Sequence, residues 1–420
     1  MDAEPVVTSS DVERGPLADV HVLDLSRVLA GPYCTMILGD LGADVIKIEQ
    51  PGRGDDTRAW GPPFMPTPEG RESVYFLSTN RNKRSVVMDL KDPEERPFLE
   101  RLVQWADVIV ENFRPGVMER LALSDEQLQA LNPGLLRLSI SGFGEDGPES
   151  GRVGYDHILQ AEGGLMSLTG LREGPVVKVG VPIADITAGL YGVIGVLAGL
   201  IERTTSGRGQ RVSTSLLAGQ VAIHVFQGAR YLVAGEVPEP SGNQHPTVSP
   251  YGVFEALDGP LVIAVGNDVI WGRFAPLVNL DPRDERFATN AGRLAYAEEL
   301  SALMTAALAR RTVENWLIDF AIAGVPAGQV KRLDEVYASE QVRQQNLVWL
   351  AEHTTLGPIE LPGSALRFGR SSVALRLPPP TLGEHSDEVR DEIIGDGATH
   401  GVKTRTTTET RSTPCTTRSD

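Results

Sequence analysis

Asp185 stands at the mouth of an apolar run. Residues 180–192 read GVPIADITAGLYG and continue as VIGVLAGLI. A carboxyl so placed can do two things. As the N-cap, or the last loop residue, of a buried helix starting near Ile186, it would accept the free amide hydrogens of the first turn. As a nucleophile it would attack an electrophilic carbonyl, with the helix N-terminus keeping it ionised. Spacing alone leaves both readings open. Other chemistries find little support. There is no Walker loop, no Gly-x-Ser-x-Gly elbow and no His-Glu-x-x-His. The histidines, at 21, 157, 224, 245, 353, 385 and 400, have no ligand spacing, so no metal site is expected. Cys34 and Cys415 are the only cysteines, which excludes a disulfide framework or a zinc site and fits a reducing cytoplasm.

The elements that must position Asp185 read as alternating strands and helices. Residues 20–25 (VHVLDL) form a strand, 31–43 a helix with Pro32 in its first turn, and 44–49 (DVIKIE) a second strand. This βαβ unit implies a parallel sheet with a right-handed crossover. Its turn, SRVLAGP, lacks the Gly-x-Gly-x-x-Gly fingerprint, so Glu49 at the end of the second strand does not make a nicotinamide site. The pattern repeats with a strand at 84–90 and a helix at 92–106, which Asp92 caps and Pro97 bends or delays. Further strands follow at 107–112 and 134–144. The predicted fold is α/β, a doubly wound Rossmann-like domain. The texture changes after 226. Residues 251–268 read as a hairpin turning at Asp258-Gly259, and helices follow to about 323.

Composition narrows the partners. A chain of 420 residues predicts two domains. With 39 basic and 56 acidic residues the formal charge is −17, against nucleic acid or an anionic membrane as general partners. A local basic pocket for a small anion stays possible. The N-terminus is acidic and has no secretory pattern. The apolar run 186–201 is shorter than the ~20 residues a membrane helix needs. Residues 1–18 and 397–420 are expected to be disordered.

Several segments together carry a resemblance. They are VLDLSRVLAGPYCTMILGDLGADVIKIEQPGRGDDTR (22–58), NRNKRSVVMDLK (80–91), ADVIVENFRPG (106–116), GYDHILQAEGG (154–164), the Asp185 stretch, SGRGQRV (206–212) and TLGEHSDEV (381–389). In this order they resemble the family III CoA-transferases, which include formyl-CoA and carnitine CoA-transferases and 2-methylacyl-CoA racemases. RVLAGP, the Gly52–Arg58 spacing, WGPPF (60–64) and PPPTLGEH look most like the dicarboxylate transferases of succinyl-CoA:glutarate type.

The resemblance implies a large Rossmann-like CoA-binding domain from 19–226 and 331–396, and a small α/β domain at 227–330. It implies an interlocked homodimer with the site between subunits. Asp185 falls on the family's nucleophile. Arg27, Gln50, Met88, Lys91, Asn112, Phe113 and Arg120 fall on the CoA side, although many relatives have Arg where Gln50 stands. Leu29, Trp60 and Tyr155 match acyl-pocket positions. Gln244 and His245 lie in the loop 241–252, which corresponds to a glycine-rich lid. Arg58 is the expected cation for the far carboxylate of a diacid. CoA and acyl-CoA enter as substrates, with no resident cofactor. A racemase is the first alternative, disfavoured because Tyr155 replaces its histidine. A non-catalytic acyl-CoA-binding protein is the second.

Overall fold

The computed structural model describes residues 14–68 and 70–395. Six parallel strands make the central sheet: β1 (His21–Asp24), β2 (Asp44–Glu49), β3 (Arg84–Val87), β4 (Val108–Glu111), β5 (Leu136–Ser141) and β6 (Arg211–Ser215). Their order is β3-β2-β1-β4-β5-β6. Leu23 of β1 is in register with Ile46 of β2 on one side and Ile109 of β4 on the other. The order reverses between β1 and β4, and ligands of such sheets bind at the strand ends there.

Both faces of this sheet are covered, and its central strands, such as β1 and β4, are buried almost end to end. Successive side chains still point to opposite sides. Val22, Val45 and Val108 enter one core with Cys34, Leu38, Ala188 and Val196. Leu23, Ile46 and Ile109 enter the other with Phe98, Leu99, Val389 and Ile393.

The first core is closed by α1 (Ala30–Asp40) and the second by α2 (Arg96–Trp105). Asp92 caps a 3-10 turn before α2, and Pro97 falls in the first helical turn, where a missing N–H costs nothing; it delays the helix. Then come α3 (Asp156–Glu162), α4 (Ile183–Ser206), α5 (Leu216–Ala222) and α6 (Val225–Ala234). With 24 residues, α4 is longer than the apolar run within it. A β-carbon on Gly189 would lie 2.8 Å from the Ala30 carbonyl oxygen, so α4 packs on α1 only because that residue is glycine. Packing accounts for one side of this apolar helix, through Ala188, Val193 and Val196, while Leu190, Tyr191, Ile194 and Ile201 stay exposed.

Residues 251–329 form a separate layer. Strands β7 (Tyr251–Glu255), β8 (Pro260–Ala264) and β9 (Ala327–Gln329) pair antiparallel in the order β9-β8-β7. Helices Asp268–Phe274, Ala297–Leu308 and Val313–Ala323 cover them around Trp271, Phe274, Trp316 and Phe320. A hairpin of β10 (Val348–His353) and β11 (Gly357–Pro362) follows. The chain then returns to the large domain. The Asn82 side-chain oxygen accepts the amides of Arg376 and Leu377 at 2.6 and 3.0 Å. The last helix among the described residues, α7 (Ser386–Gly395), places Val389 and Ile393 beside Phe98 and Leu99.

One expectation changes near the N-terminus. Residues 14–18, expected to be disordered, form a turn in which the Leu17 amide donates to the Leu41 carbonyl at 2.9 Å. The expectations for residues 1–13 and 397–420 lie outside the described residues.

Candidate active site

The loops after β1 and β4 meet at the reversal of strand order. The Asn112 side chain clasps the Arg27 backbone: its oxygen accepts the Arg27 amide at 2.9 Å, and its nitrogen donates to the Arg27 carbonyl at 2.6 Å. Val28 follows with φ of 71°, a left-handed conformation unusual for a β-branched residue. The Asp55 carboxylate accepts its amide at 3.2 Å. Asp55 in turn meets the Lys47 ammonium at 2.9 Å, and Lys47 also donates to the Ser26 carbonyl. Burial would raise the Asp55 pKa, but Lys47 and the Thr57 amide outweigh it and hold it at about 2. Behind this pair lies a second, Lys83 with Asp24, also fully buried. Burial pulls Lys83 down to about 8 despite Asp24. Buried charges thus shape the turn where dinucleotide sites use glycines.

Asp185 lies in the first turn of α4, not at its cap. The helix starts at Ile183, and its N-cap, Pro182, offers no side-chain bond. The cap comes from outside: an Asp156 oxygen accepts the Ala184 amide at 2.8 Å. The other Asp156 oxygen accepts from the Gln160 side chain, also at 2.8 Å. The expectation that the helix N-terminus keeps Asp185 ionised meets an opposing effect. Burial, then the charge of Asp156, raises its pKa to about 7. Tyr75 shares this environment. Burial, followed by the charges of Asp185, Asp156 and Asp55, pushes its phenol to about 12.

Two cavities meet at the Arg27–Asn112 junction. The first, about 180 Å³, is lined by Asp185, Tyr155, Asn112, Phe113, Arg27 and Val28, with Arg114 and Arg152 at its wall. The second, about 590 Å³, is lined by Arg27, Gln50, Met88, Lys91, Phe113 and Arg120, again with Arg114. Arg27, Phe113 and Arg114 belong to both. Such a pair of chambers suits an elongated ligand. An anionic head would meet Lys91, Arg120 and Arg27, and its far end would reach the Asp185 carboxyl.

The remaining candidates fall elsewhere. Arg58 is taken: its guanidinium makes two 2.7 Å bonds to buried Glu49, donates to the Pro380 carbonyl and lies 3.6 Å over the Phe76 ring. It is held as a structural cation and lines neither cavity. Leu29 is buried as the N-cap residue of α1 and lines neither cavity. Trp60 lines neither cavity and meets the site indirectly, edge-on to Tyr75 at 5.2 Å. Gln244 and His245 line a cavity of about 820 Å³ within the small domain, under the helix Ala297–Leu308. Within one chain they are not brought to Asp185.

Sequence reasoning missed Tyr75, Asp156, Gln160 and the Lys47–Asp55 pair. One signal was available. Lys47 is the lone cation in an otherwise apolar strand interior, VIKI, and a lysine buried there needs an anion.

The whole chain has known counterparts. A family model described as CoA-transferase family III matches residues 17–386. Succinyl-CoA:glutarate CoA-transferase of Mus musculus is 39% identical over 381 residues, 90% of this chain and 86% of that protein. Succinate–glutarate CoA-transferase of Agrobacterium fabrum is 41% identical over 398 residues, covering 92% and 98%. The crystal structure of a CaiB/BaiF family protein from Brucella suis superposes with a TM-score of 0.82 at 38% identity, covering 91% of this chain and all of that one. With the family model spanning nearly the full described chain, this protein belongs to CoA-transferase family III.

Proposed function

We propose that this transferase moves CoA from succinyl-CoA to another carboxylic acid, a dicarboxylate foremost, with Asp185 as the nucleophile. The observation that carries the reading is the position of Asp185: a partly buried carboxyl in the smaller of two joined cavities, the larger one bearing cations. The dicarboxylate preference draws on the relatives, whose names specify succinate and glutarate.

In the proposed reaction an Asp185 oxygen attacks the thioester carbonyl carbon and the C–S bond breaks. A mixed anhydride and CoA thiolate result. The thiolate attacks the aspartyl carbonyl of the anhydride, forming an aspartyl-CoA thioester and freeing the donor acid as its carboxylate. The acceptor carboxylate attacks that thioester and expels the thiolate again. The thiolate takes the acceptor acyl group and restores the Asp185 carboxylate. No proton is gained or lost, and thioester energy is kept at each step. CoA is a substrate throughout, and the chain needs no resident cofactor.

The working unit in this reading is a homodimer, interlocked as the family resemblance implies. No residue of α6 is buried, and Val225, Leu232 and Val233 are each more than three-quarters exposed. A second copy would cover this face. It would also let the loop bearing Gln244 and His245 close over an Asp185 cavity. Racemisation is less well served, because no histidine lines the Asp185 cavity among the described residues.

Intact mass after incubation with succinyl-CoA, with hydroxylamine or borohydride trapping, tests the reading. Wild type should show a nucleophile-dependent mass change that Asp185→Ala lacks. Equal behaviour of the two proteins, with transfer still occurring, would refute it.

A further inference from the structure

We propose that Gln160 is a positioning residue for the Asp185 nucleophile, fixing through Asp156 the turn that delivers Asp185 to the cavity. The inference rests on the reading of Asp185 given above. Gln160 is fully buried. Burying a long amide is costly unless its polar ends are bonded, and both ends are used. The oxygen accepts the Val179 amide at 2.9 Å. The nitrogen donates to Asp156 at 2.8 Å and to the Val181 carbonyl at 3.3 Å. The other Asp156 oxygen holds the Ala184 amide.

These bonds close a ring around the entry to α4: Val179 to Gln160, Gln160 to Asp156, Asp156 to Ala184. The turn inside it has no capping side chain of its own. The start of α4, and with it Asp185, is therefore registered from α3. The amide orientation is dictated by its neighbours, since a flip would set N–H against N–H and oxygen against carboxylate. A leucine could fill the same space and make none of these bonds. The ring also holds the Asp156 carboxylate against the helix end, setting how close its charge lies to Asp185.

Asp156 on the same helix bonds Gln160, Asp185 on α4 and the Tyr75 phenol feel the Asp156 charge, and the exposed Lys178 ammonium donates to the Val179 carbonyl at 3.0 Å. Arg152 is engaged with Glu149 and Glu162, and His224 bonds the Gly163 carbonyl beyond the far end of α3.

The test is steady-state transfer from succinyl-CoA to glutarate by the full chain, across pH, with Gln160→Leu and Gln160→Glu. Gln160→Leu should lower kcat about tenfold or more through misplacement of the nucleophile, with KM for succinyl-CoA within about twofold. In Gln160→Glu the new carboxyl faces Asp156 and keeps its proton in acid, donating as the amide did. This variant should approach wild type near about pH 6 and fall as the second charge forms, an alkaline limb that wild type lacks. The limb reports positioning where circular dichroism shows the variant still folded; a limb that coincides with unfolding overturns the proposal. Unchanged kcat in Gln160→Leu, or a Gln160→Glu profile parallel to wild type, overturns the proposal. If Gln160→Leu does not fold, the Gln160→Glu profile decides alone. Asp185→Ala separates the two claims. If it still transfers CoA, the nucleophile assignment fails. If it is inactive while the Gln160 variants behave as wild type, only the role of Gln160 falls.

Discussion

The Lys47 ammonium and the Asp55 carboxylate meet at 2.9 Å with neither side chain exposed, and the same carboxylate accepts the amide of Val28. A buried ion pair therefore holds a left-handed residue at the lip of the Asp185 cavity. Removing one partner leaves the other charge unpaired in the interior. Asp55→Ala should destabilise the fold by about 3–5 kcal/mol, read by urea unfolding. Asp55→Asn, which keeps an acceptor for Val28, should lose less. If the Ala variant is as stable as wild type, the pair does not hold this loop.

The pKa of Asp185, about 7 against an ordinary 3.8, gives a pH dependence with a definite sign. Only the carboxylate attacks, so kcat/KM should fall about tenfold per pH unit below the pKa and level off above it. Asp156→Asn removes the like charge and should move that limb to lower pH. Stability runs the opposite way. Between about pH 4 and 7 the folded protein holds a proton the unfolded chain has released, so stability falls as pH rises through this window. Asp185→Asn should therefore be the more stable protein at about pH 8, by on the order of 2 kcal/mol after allowance for solvent in the cavity. Thermal melts at about pH 5, inside the window, and at about pH 8, above it, check this.

Lys91 and Arg120 line the larger cavity and are solvent-facing rather than built into the core. Replacing either with Ala should raise KM for acyl-CoA by roughly three- to tenfold, at little cost to kcat or stability. The effect should shrink at high salt, as expected for phosphate contacts. A fall in kcat alone would place these residues outside the CoA head site.

Arg58 makes the contrasting prediction. Arg58→Met leaves buried Glu49 without its bidentate partner and should cost about 3 kcal/mol or more. The ranking of acceptor acids by the folded protein should stay as in wild type. A selective loss of diacids over monoacids would return Arg58 to the substrate site.

The sequence made the scaffold readable where local pattern and tertiary demand agree. β2 ends at Glu49 as DVIKIE suggests, and the hairpin turns between β7 and β8 as Asp258-Gly259 suggests. Asp185 and the residues around the CoA-side cavity were legible as matches to known segments. The failures share a cause. Arg58 is expected from the charge of a diacid and Leu29 from the resemblance, but what each side chain faces depends on Glu49 and on α1. Asp156 and Gln160 carry no motif alone. Their meaning is a hydrogen-bonded ring closed between α3 and α4, which the linear pattern of neither helix reports. Periodicity reports which face is buried, and it is silent on which buried polar groups find each other.

The return of the chain to its first domain has a consequence for synthesis. Phe98 and Leu99 are made early, yet the α7 residues that cover them, Val389 and Ile393, are made only after the small domain. Asn82 waits in the same way for Arg376 and Leu377. The small domain can close its own core meanwhile. The nascent sheet must keep one apolar flank bare until the C-terminal helix emerges, which makes that flank a natural client surface for chaperones. A truncation just before α7 would freeze the chain in that half-covered state, so its fate would be decided by proteolysis and aggregation more than by any change at Asp185.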